Sequence, residues 1–387
     1  MSITNQGGIL TCQKDLFSLP DEVTYLNCAY FSPNLRTVEA AGLKGIELYN
    51  KPYLIRPEHF FEPIEIIKEL FSRLINSSDS QRISIIPSAS YGIATVTNNV
   101  KLKPSNNIVI LEEQFPSNVY AYLEASKRSG ATVRTVRAPY GTDERGAILN
   151  LNLLKAIDHN TAIVAVPHVH WADGILLDLK AVRDRCDEFT ALLIIDGTQS
   201  IGALPFDVSV FRPDALICSC YKWLLGPYSL GLAYYGPYFD NGDPIEYNWI
   251  NRQGSENFTD LVNFTDELRP KAFKYNVGEC SNFIHIPMLT ASLQQIHAWG
   301  VQSVQDYCGA LIKSYLSEIE GKGYHFEKTY RVGHITGLYL PPNKDLHALS
   351  KRFQQKSIFV SFRGKSIRVS PHLYNNDKDL VRLVNNL

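Results

Sequence analysis

Residues 191–236 read ALLIIDGTQSIGALPFDVSVFRPDALICSCYKWLLGPYSLGLAYYG, and this stretch decides the fold. Two short apolar runs, at residues 192–195 and 215–218, have the length of buried strands. Polar residues begin where each run stops, at Asp196 and at Ser219. Because parallel sheets place their chemistry at the carboxyl ends of their strands, we expect an α/β protein whose functional site lies at this edge.

A carboxylate and a lysine stand at the two strand ends, because Lys222 follows Asp196 by 26 residues (222 − 196). Such a pair meets the needs of pyridoxal phosphate (PLP). The lysine forms an imine with the cofactor, and the carboxylate keeps the pyridine nitrogen protonated, so that the ring can accept electrons from an α-carbanion. Gln199 could reach the ring's phenolic oxygen, Ser219 could bind the phosphate, and Tyr221 adjoins the lysine. Taken singly, Asp196 could cap a helix and Lys222 could be an ordinary surface lysine.

In this order of residues the chain resembles the class V aminotransferases of fold type I, over nearly its whole length. That family includes cysteine desulfurases, kynureninase and isopenicillin N epimerase-like proteins. The resemblance implies the α/β fold of the fold type I PLP-dependent transferases, with a seven-stranded, mostly parallel sheet in a large domain and a smaller C-terminal α+β domain. We expect an N-terminal arm at residues 1–20, a large PLP-binding domain at 21–255 and a small domain at 256–387. A homodimer with two composite sites is also implied.

Composition excludes several classes of protein. With 45% hydrophobic and 20% charged residues, the 387-residue chain is of the globular class and long enough for two domains. A net charge of −1 argues against an electrostatic surface for nucleic acid or membrane. The N-terminus is mixed and polar rather than basic and then apolar, and seven scattered cysteines without a CxxC pair indicate reduced thiols. We therefore expect a cytoplasmic protein.

The stretch ISIIPSASYGIATV, residues 83–96, predicts a strand, a turn of small residues and a helix from about Tyr91. Small residues at a helix start leave backbone N–H groups free for an anion, and the helix dipole adds to the attraction. Ser88, Ala89 and Ser90 are therefore the predicted phosphate site, and the resemblance places the family's phosphate-binding turn here. The alternative is an ordinary serine N-cap.

Two further strand ends carry candidate cofactor contacts. Phe115 stands where the family carries the flat side chain that stacks on the pyridine ring, although a core phenylalanine is the alternative. The run at residues 161–179 ends its apolar part in His168 and His170. Many family members have asparagine where we align His170, which we expect near a cofactor oxygen. The two histidines have no third ligand nearby, so no metal site is expected.

An arginine near the C-terminus is expected to hold the substrate's carboxylate. The motif RVSPHLYN, residues 368–375, resembles the family's carboxylate-binding segment, and the planar fork of Arg368 matches a carboxylate. Arg363 is the competing candidate, because cysteine desulfurases use the arginine of that earlier strand. For either residue the alternative is a surface arginine.

Three other segments are assigned from the resemblance. Asn27 and Tyr30, in YLNCAYFSPN, fall where the family lines its substrate entrance, although a plain turn fits as well. Gly278 stands where relatives bind the partner subunit's PLP phosphate, but the following Glu279 would repel a phosphate. Trp249 and Arg252, in the irregular segment after Tyr235, resemble the WxxR of uncharacterised bacterial members, which implies either an interface or a substrate role.

These residues predict a PLP-dependent enzyme of the class V aminotransferase type that acts on an amino acid or related amine through an α-carbanion. Lys222 would move the α-proton. A C–S lyase or an epimerase of the same fold remains an alternative, as does a catalytically silent scaffold or regulatory protein. A nicotinamide enzyme is disfavoured because no GxGxxG follows a strand. A persulfide-forming desulfurase is also disfavoured, because no cysteine follows Cys308 and Cys280 precedes the core of the small domain.

Overall fold

The structure is a computed structural model that describes residues 10–140, 142–342 and 344–387. Residues 1–9 of the predicted N-terminal arm lie outside the described residues. The described strands are β1 (Thr24–Tyr25), β2 (Ile83–Ile86), β3 (Asn107–Leu111), β4 (Thr132–Val136), β5 (Thr161–Pro167), β6 (Leu192–Asp196), β7 (Ala215–Ser219), β8 (Gly231–Tyr235), β9 (Thr336–Tyr339), β10 (Ile358–Phe359), β11 (Ser361–Arg363) and β12 (Ser366–Val369).

Twelve α-helices alternate with or follow these strands in the described part of the chain. They are α1 (Arg36–Tyr49), α2 (Glu62–Leu74), α3 (Ala89–Asn99), α4 (Tyr120–Ser129), α5 (Arg145–Ala156), α6 (Leu179–Phe189), α7 (Val208–Phe211), α8 (His285–Trp299), α9 (Val301–Lys313), α10 (Leu316–Gly321), α11 (Leu346–Gln355) and α12 (Asp377–Asn385). None of the described helices combines the length and apolar character needed to cross a membrane.

The large sheet has seven strands in the order β2-β8-β7-β6-β5-β3-β4. The pairs from β7 to β4 are parallel, and β8 runs antiparallel to both of its neighbours, β2 and β7. The predicted seven-stranded, mostly parallel sheet is therefore confirmed. Its strands are apolar on both faces: Leu193 and Ile195 pack into one core cluster, whereas Ile194 between them packs into another. This explains why the strands appear in the sequence as continuous apolar runs.

A smaller C-terminal region carries a three-stranded antiparallel sheet in the order β11-β12-β9. Its own core includes Leu338, Ile367 and Leu380, and it also takes in Leu26 from the N-terminal part. Leu26 joins this core because it directly follows β1, and β1 pairs in parallel with β10. The predicted domain bounds stay a prediction.

The register of the large sheet brings three strand ends together. Pro167 at the end of β5 pairs with Asp196 at the end of β6, and Asp196 pairs in turn with Ile217 of β7. Residues that follow these strands therefore emerge side by side at one edge of the sheet. This edge positions the site.

Candidate active site

The ends of β6 and β7 are joined by hydrogen bonds through one threonine. The backbone N–H of Thr198 donates to Asp196 Oδ1 at 2.9 Å, and the Thr198 hydroxyl accepts from the Ser219 N–H at 3.2 Å. The residues after each strand are thus held in a fixed relation. Lys222 follows three residues after Ser219, so the carboxylate and the lysine come to the same edge.

Two adjoining cavities open at this edge. We call the first the central cleft; it is lined by Ala89, Gln114, Phe115, Pro167, Val169, Trp171, Asp196, Thr198, Gln199, Ser219, Tyr221 and Lys222. We call the second the serine cavity; it is lined by Pro87, Ser88, Ala89, Ser90, Phe115, Ser117, Ser219, Tyr221, Tyr228, Ser229 and Leu230. Four residues line both, so the cavities are continuous. Nine of the predicted cofactor residues line one cavity or the other: Ser88, Ala89, Ser90, Phe115, Asp196, Gln199, Ser219, Tyr221 and Lys222.

Lys222 is buried in the central cleft between aromatic rings. Its Nζ lies 5.2 Å from the centre of the Phe115 ring and 5.4 Å from that of Tyr221. Burial and the positive charge of Arg368 lower the pKa of Lys222 to about 8, against the opposing effect of Asp196. A substantial fraction of the amine is therefore neutral near pH 7 to 8, which is the form that can act as a nucleophile or base.

Asp196 carries the carboxylate of the cleft. Burial raises its pKa, and hydrogen bonds from Thr198 together with the charge of Lys222 oppose that rise. Such a carboxylate favours a protonated nitrogen as its partner, because the ion pair compensates for the lost hydration. The pyridine nitrogen of PLP is a partner of this kind.

Gln199 is held rigidly from two sides. The indole N–H of Trp223 donates to its Oε1 at 2.8 Å, and its Nε2 donates to the Ala29 carbonyl at 3.1 Å. An amide nitrogen has two hydrogens, so one donor remains free for a phenolic oxygen in the cleft. His334 fixes the backbone as well, because its Nε2 donates to the Gln199 carbonyl at 2.7 Å.

Ser88 is the N-cap of α3, where its hydroxyl accepts from the Tyr91 N–H at 3.2 Å. The ordinary capping role considered from the sequence is therefore present. Its oxygen also lies 2.9 Å from the hydroxyl of Ser90. Hydroxyl groups at a helix N-terminus, with Ser219 on the facing strand end, form a donor set that suits a phosphate. The two cavities together thus fit PLP, with the phosphate at the serine end.

Trp171, rather than His170, lines the central cleft. The Trp171 ring meets that of Phe115 edge-on at 5.4 Å between centres, and its indole N–H donates to the Glu113 carbonyl at 2.6 Å. His170 instead places its Nδ1 2.7 Å from Asp173 Oδ1, and its ring is buried. The expected placement of His170 beside the cofactor is corrected accordingly.

The physical reason is the alternation of an extended chain. Pro167, Val169 and Trp171 line the cleft, whereas the side chains between them face the other way. His168 packs edge-on against Phe206 in that direction. Every second residue from Pro167 faces the cleft, and this alternation could have predicted from the sequence that Trp171 and not His170 lies there. Thr198 was also missed, although it directly follows the Asp196–Gly197 turn.

Arg368 lies behind Trp171 and is 1% exposed. Its guanidinium donates to the Trp171 carbonyl at 2.7 Å and to the Ser361 hydroxyl at 3.3 Å. Burial and the nearby charge of Arg363 lower the pKa of Arg368 to about 9. Arg363 is partly buried and donates to the Phe362 carbonyl at 2.8 Å. Neither arginine is among the described residues that line the two cavities, but both guanidinium groups lie beside Trp171, which lines the central cleft.

The other predicted residues lie outside the two cavities. The Asn27 side chain accepts from the Ser361 hydroxyl at 2.7 Å, which links it to Arg368, and Tyr30 is 57% exposed. The Gly278 N–H donates to the Glu246 carboxylate. Trp249 lines two other surface cavities, one together with Glu279 and the other together with Arg252. The roles of these residues stay predictions.

Comparison with known proteins agrees with this geometry. The model of the family described as aminotransferase class V matches residues 56–383. An uncharacterised aminotransferase of Bacillus subtilis is 23% identical over 321 residues, which cover 82% of this chain and 81% of that protein.

Solved structures share the fold. The apo cysteine desulfurase of Thermococcus onnurineus superposes with a TM-score of 0.81 at 16% identity, covering 97% of each chain. A variant of the cystine C–S lyase with glycine covalently linked to its PLP has a TM-score of 0.82 at 16% identity, covering 97% of this chain and 98% of that one. The predicted fold type I is thereby confirmed.

Proposed function

Because the chain belongs to the class V aminotransferase family, whose cofactor is PLP, we propose that it acts at the α-carbon of an amino acid, with Lys222 as its catalytic residue. The chain is a PLP-dependent, aminotransferase-like enzyme. The observation that supports the assignment of Lys222 is its position: a buried lysine with a pKa of about 8, in one cleft with Asp196.

Different residues of the two cavities would bind different parts of the cofactor. Lys222 would hold it covalently, Asp196 would keep the pyridine nitrogen protonated, and Gln199 would donate to the phenolic oxygen. Ser88, Ser90 and Ser219 would bind the phosphate, and Ala89, Phe115 and Tyr221 would enclose the ring, as their positions in the lining suggest. Bound PLP withdraws electrons from the substrate's α-carbon.

Lys222 is also the group that would move the proton. With its Nζ free, Lys222 would be a base whose pKa of about 8 lies close to neutral pH, which is the condition for efficient proton transfer. It would take the proton from the α-carbon. Proton removal by Lys222 would be the first step of transamination, whereas epimerisation would also need a second proton donor on the opposite side of the α-carbon.

Arg368 would hold the α-carboxylate. Its planar fork can donate two parallel hydrogen bonds to a carboxylate. Anchoring that group fixes which bond to the α-carbon stands perpendicular to the cofactor ring, so it serves orientation as well as affinity. Transamination is the first candidate reaction, and C–S cleavage would begin with the same proton removal by Lys222.

We also propose a homodimer in the cytoplasm. The segment after Tyr235 exposes large apolar side chains, among them Val262 at 79% and Phe264 at 97%. Exposed apolar groups in one segment are typical of an interface. The free, mostly buried cysteines agree with a reducing compartment.

Visible absorption of the purified protein tests the proposal most simply. The protein should absorb in the visible range as PLP enzymes do, and single amino acids should change that spectrum in a concentration-dependent way. A protein that absorbs after reconstitution with PLP but responds to no amino acid would contradict the assignment of an amino-acid substrate and favour the silent scaffold.

A further inference from the structure

Arg363 and Arg368 point from the same face of the small sheet. Arg363 on β11 pairs with Ser366, and Arg368 on β12 pairs with Ser361. In an antiparallel pair the two arginines are therefore diagonal neighbours, with starting atoms about 7–8 Å apart. Both reach the same indole: their guanidinium carbons lie 5.3 Å and 5.9 Å from the centre of the Trp171 ring.

Neither arginine has a carboxylate partner among the described residues. Their side-chain hydrogen bonds go to backbone carbonyls and to the hydroxyl of Ser361. The Nε of each is buried and has no acceptor in the described part of the chain. Buried charges are normally paired, because an unpaired one loses its hydration without compensation. The buried Arg368 therefore calls for an anionic partner, and the partly exposed Arg363 beside it can accept a second one.

The remaining charges of the cleft do not supply these anions. Lys222 adds a third positive charge, and Asp196 is the carboxylate among the lining residues. The carboxylates of Glu113 and Asp173, on the segments that flank the cleft residues Gln114 and Trp171, are paired with Arg145. The phosphate of the cofactor belongs at the serine cavity, away from Trp171.

We propose that the substrate is an amino acid with a second acidic group on its side chain. This rests on the proposed function. Arg368, the more deeply buried arginine, binds the α-carboxylate, and the partly exposed Arg363 binds the side-chain acid, which is a carboxylate or a sulfinate. Both guanidinium groups lie beside the Trp171 ring, so the two acids that they accept would belong to one molecule. A single-acid substrate leaves one arginine without a partner.

Equilibrium binding of unreactive acids to the PLP-loaded protein tests the proposal. Succinate and glutarate are compared by calorimetry with the monocarboxylates of matched length, butyrate and valerate. The dicarboxylates should bind about ten- to a hundred-fold more tightly, the contribution of one charge-assisted pair. In Arg363→Gln this ratio should fall to near one, whereas Arg368→Gln should weaken both classes. Arg134→Gln, on the distant strand β4, is the control and should keep the ratio.

The retained absorption of bound PLP shows that each variant is folded, and Arg363→Lys, which keeps the charge without the fork, should restore only part of the ratio. Steady-state kcat/KM should then be highest for aspartate, glutamate or cysteine sulfinate, and the best of the three identifies the side-chain acid. A ratio near one in the unsubstituted protein, or one unchanged by Arg363→Gln, overturns this inference. If monocarboxylate binding still depends on Arg368 in that case, the proposed function stands; binding of no carboxylate overturns both.

Discussion

The side-chain nitrogen of Lys222 lies 5.2 Å from the centre of the Phe115 ring, inside the cleft that also contains Asp196. Burial of the lysine, together with the positive charge of Arg368, lowers its pKa to about 8. A surface lysine would not have these neighbours. The Lys222 amine is therefore expected to react with PLP more readily than a surface lysine does.

The rate at which the apoprotein takes up PLP should rise with pH, reach half of its maximum near the Lys222 pKa of about 8 and level off about one pH unit higher. Covalent attachment needs the neutral amine, and below the pKa of Lys222 each pH unit removes about nine-tenths of that form. Stopped-flow absorption between about pH 6 and pH 10 measures this, with a free lysine derivative as the control for PLP's own titrations. A rate that keeps rising to about pH 10 would show that Lys222 titrates like an ordinary lysine.

Arg368→Ala should lower kcat/KM for an amino-acid substrate by about ten- to a hundred-fold, because one charge-assisted hydrogen-bonded contact contributes about 1.5–3 kcal/mol. Arg368→Lys should restore little, since lysine cannot supply the planar fork. Steady-state kinetics on PLP-saturated protein give the comparison. An unchanged kcat/KM in Arg368→Ala, with a loss in Arg363→Ala, would instead assign the α-carboxylate to Arg363.

The sequence predicted the sheet and the two strand ends because continuous apolar runs and the polar residues after them are local features. Asp196, Gln199, Ser219 and Lys222 line the cleft as a direct result. The orientation of the chain after β5 was not predicted, since it depends on which side of the extended segment faces the cleft. His170 and Trp171 differ by one residue and therefore face opposite ways.

The contact of β1 with β10 could not be predicted either. Strands of two residues carry almost no periodicity, and Thr24 pairs with Ile358 more than three hundred residues later. The same holds for Arg363 and Arg368, which appeared as competitors in the sequence. The register of β11 and β12 places both on one face of the small sheet.

Asp173→Asn should destabilise the protein by about 3 kcal/mol or more, because it removes the buried counter-charge of Arg145 and leaves that guanidinium with the more exposed carboxylate of Glu113. Asp173 is paired with Arg145, contacts His170 and accepts from the Tyr339 hydroxyl at 2.9 Å, so it ties the large sheet to the small one. Denaturant unfolding measures the change. Asp184→Asn, whose pair with Lys180 is about half exposed, is the control and should change stability by less than about 1 kcal/mol; equal effects would contradict the structural role of Asp173.

The same carboxylate gives a pH dependence of stability. Burial alone would raise the pKa of Asp173, but His170 and Arg145 outweigh it and lower the pKa to about 2. The stabilisation from this group is therefore complete above the unfolded value of 3.8 and is lost as the pH falls towards 2. The Asn variant should lack this part of the acid dependence.

No single cysteine substitution should abolish any sulfide released from free cysteine. Six of the seven cysteines are buried, and none of the described residues that line the central cleft is a cysteine. Burial raises the pKa of Cys28, which lies behind the lysine, to about 12, so it is a poor nucleophile. Sulfide assays with a thiol acceptor on Cys28→Ala and Cys280→Ala measure this. Loss of persulfide transfer in either variant would show a desulfurase mechanism.

The covalent position of PLP tests the central claim most directly. Borohydride reduction of the PLP-loaded protein, followed by peptide mass mapping, should place the modification on Lys222, and Lys222→Ala should lose both the label and turnover while keeping its fold. Lys68 is the informative competitor: burial lowers its pKa too, but its nitrogen is bound by Glu65 at 2.9 Å and by Gln81 at 3.1 Å, outside the cleft. Label on Lys222 alone supports the account; label on Lys68 or another lysine, with activity retained in Lys222→Ala, would contradict it.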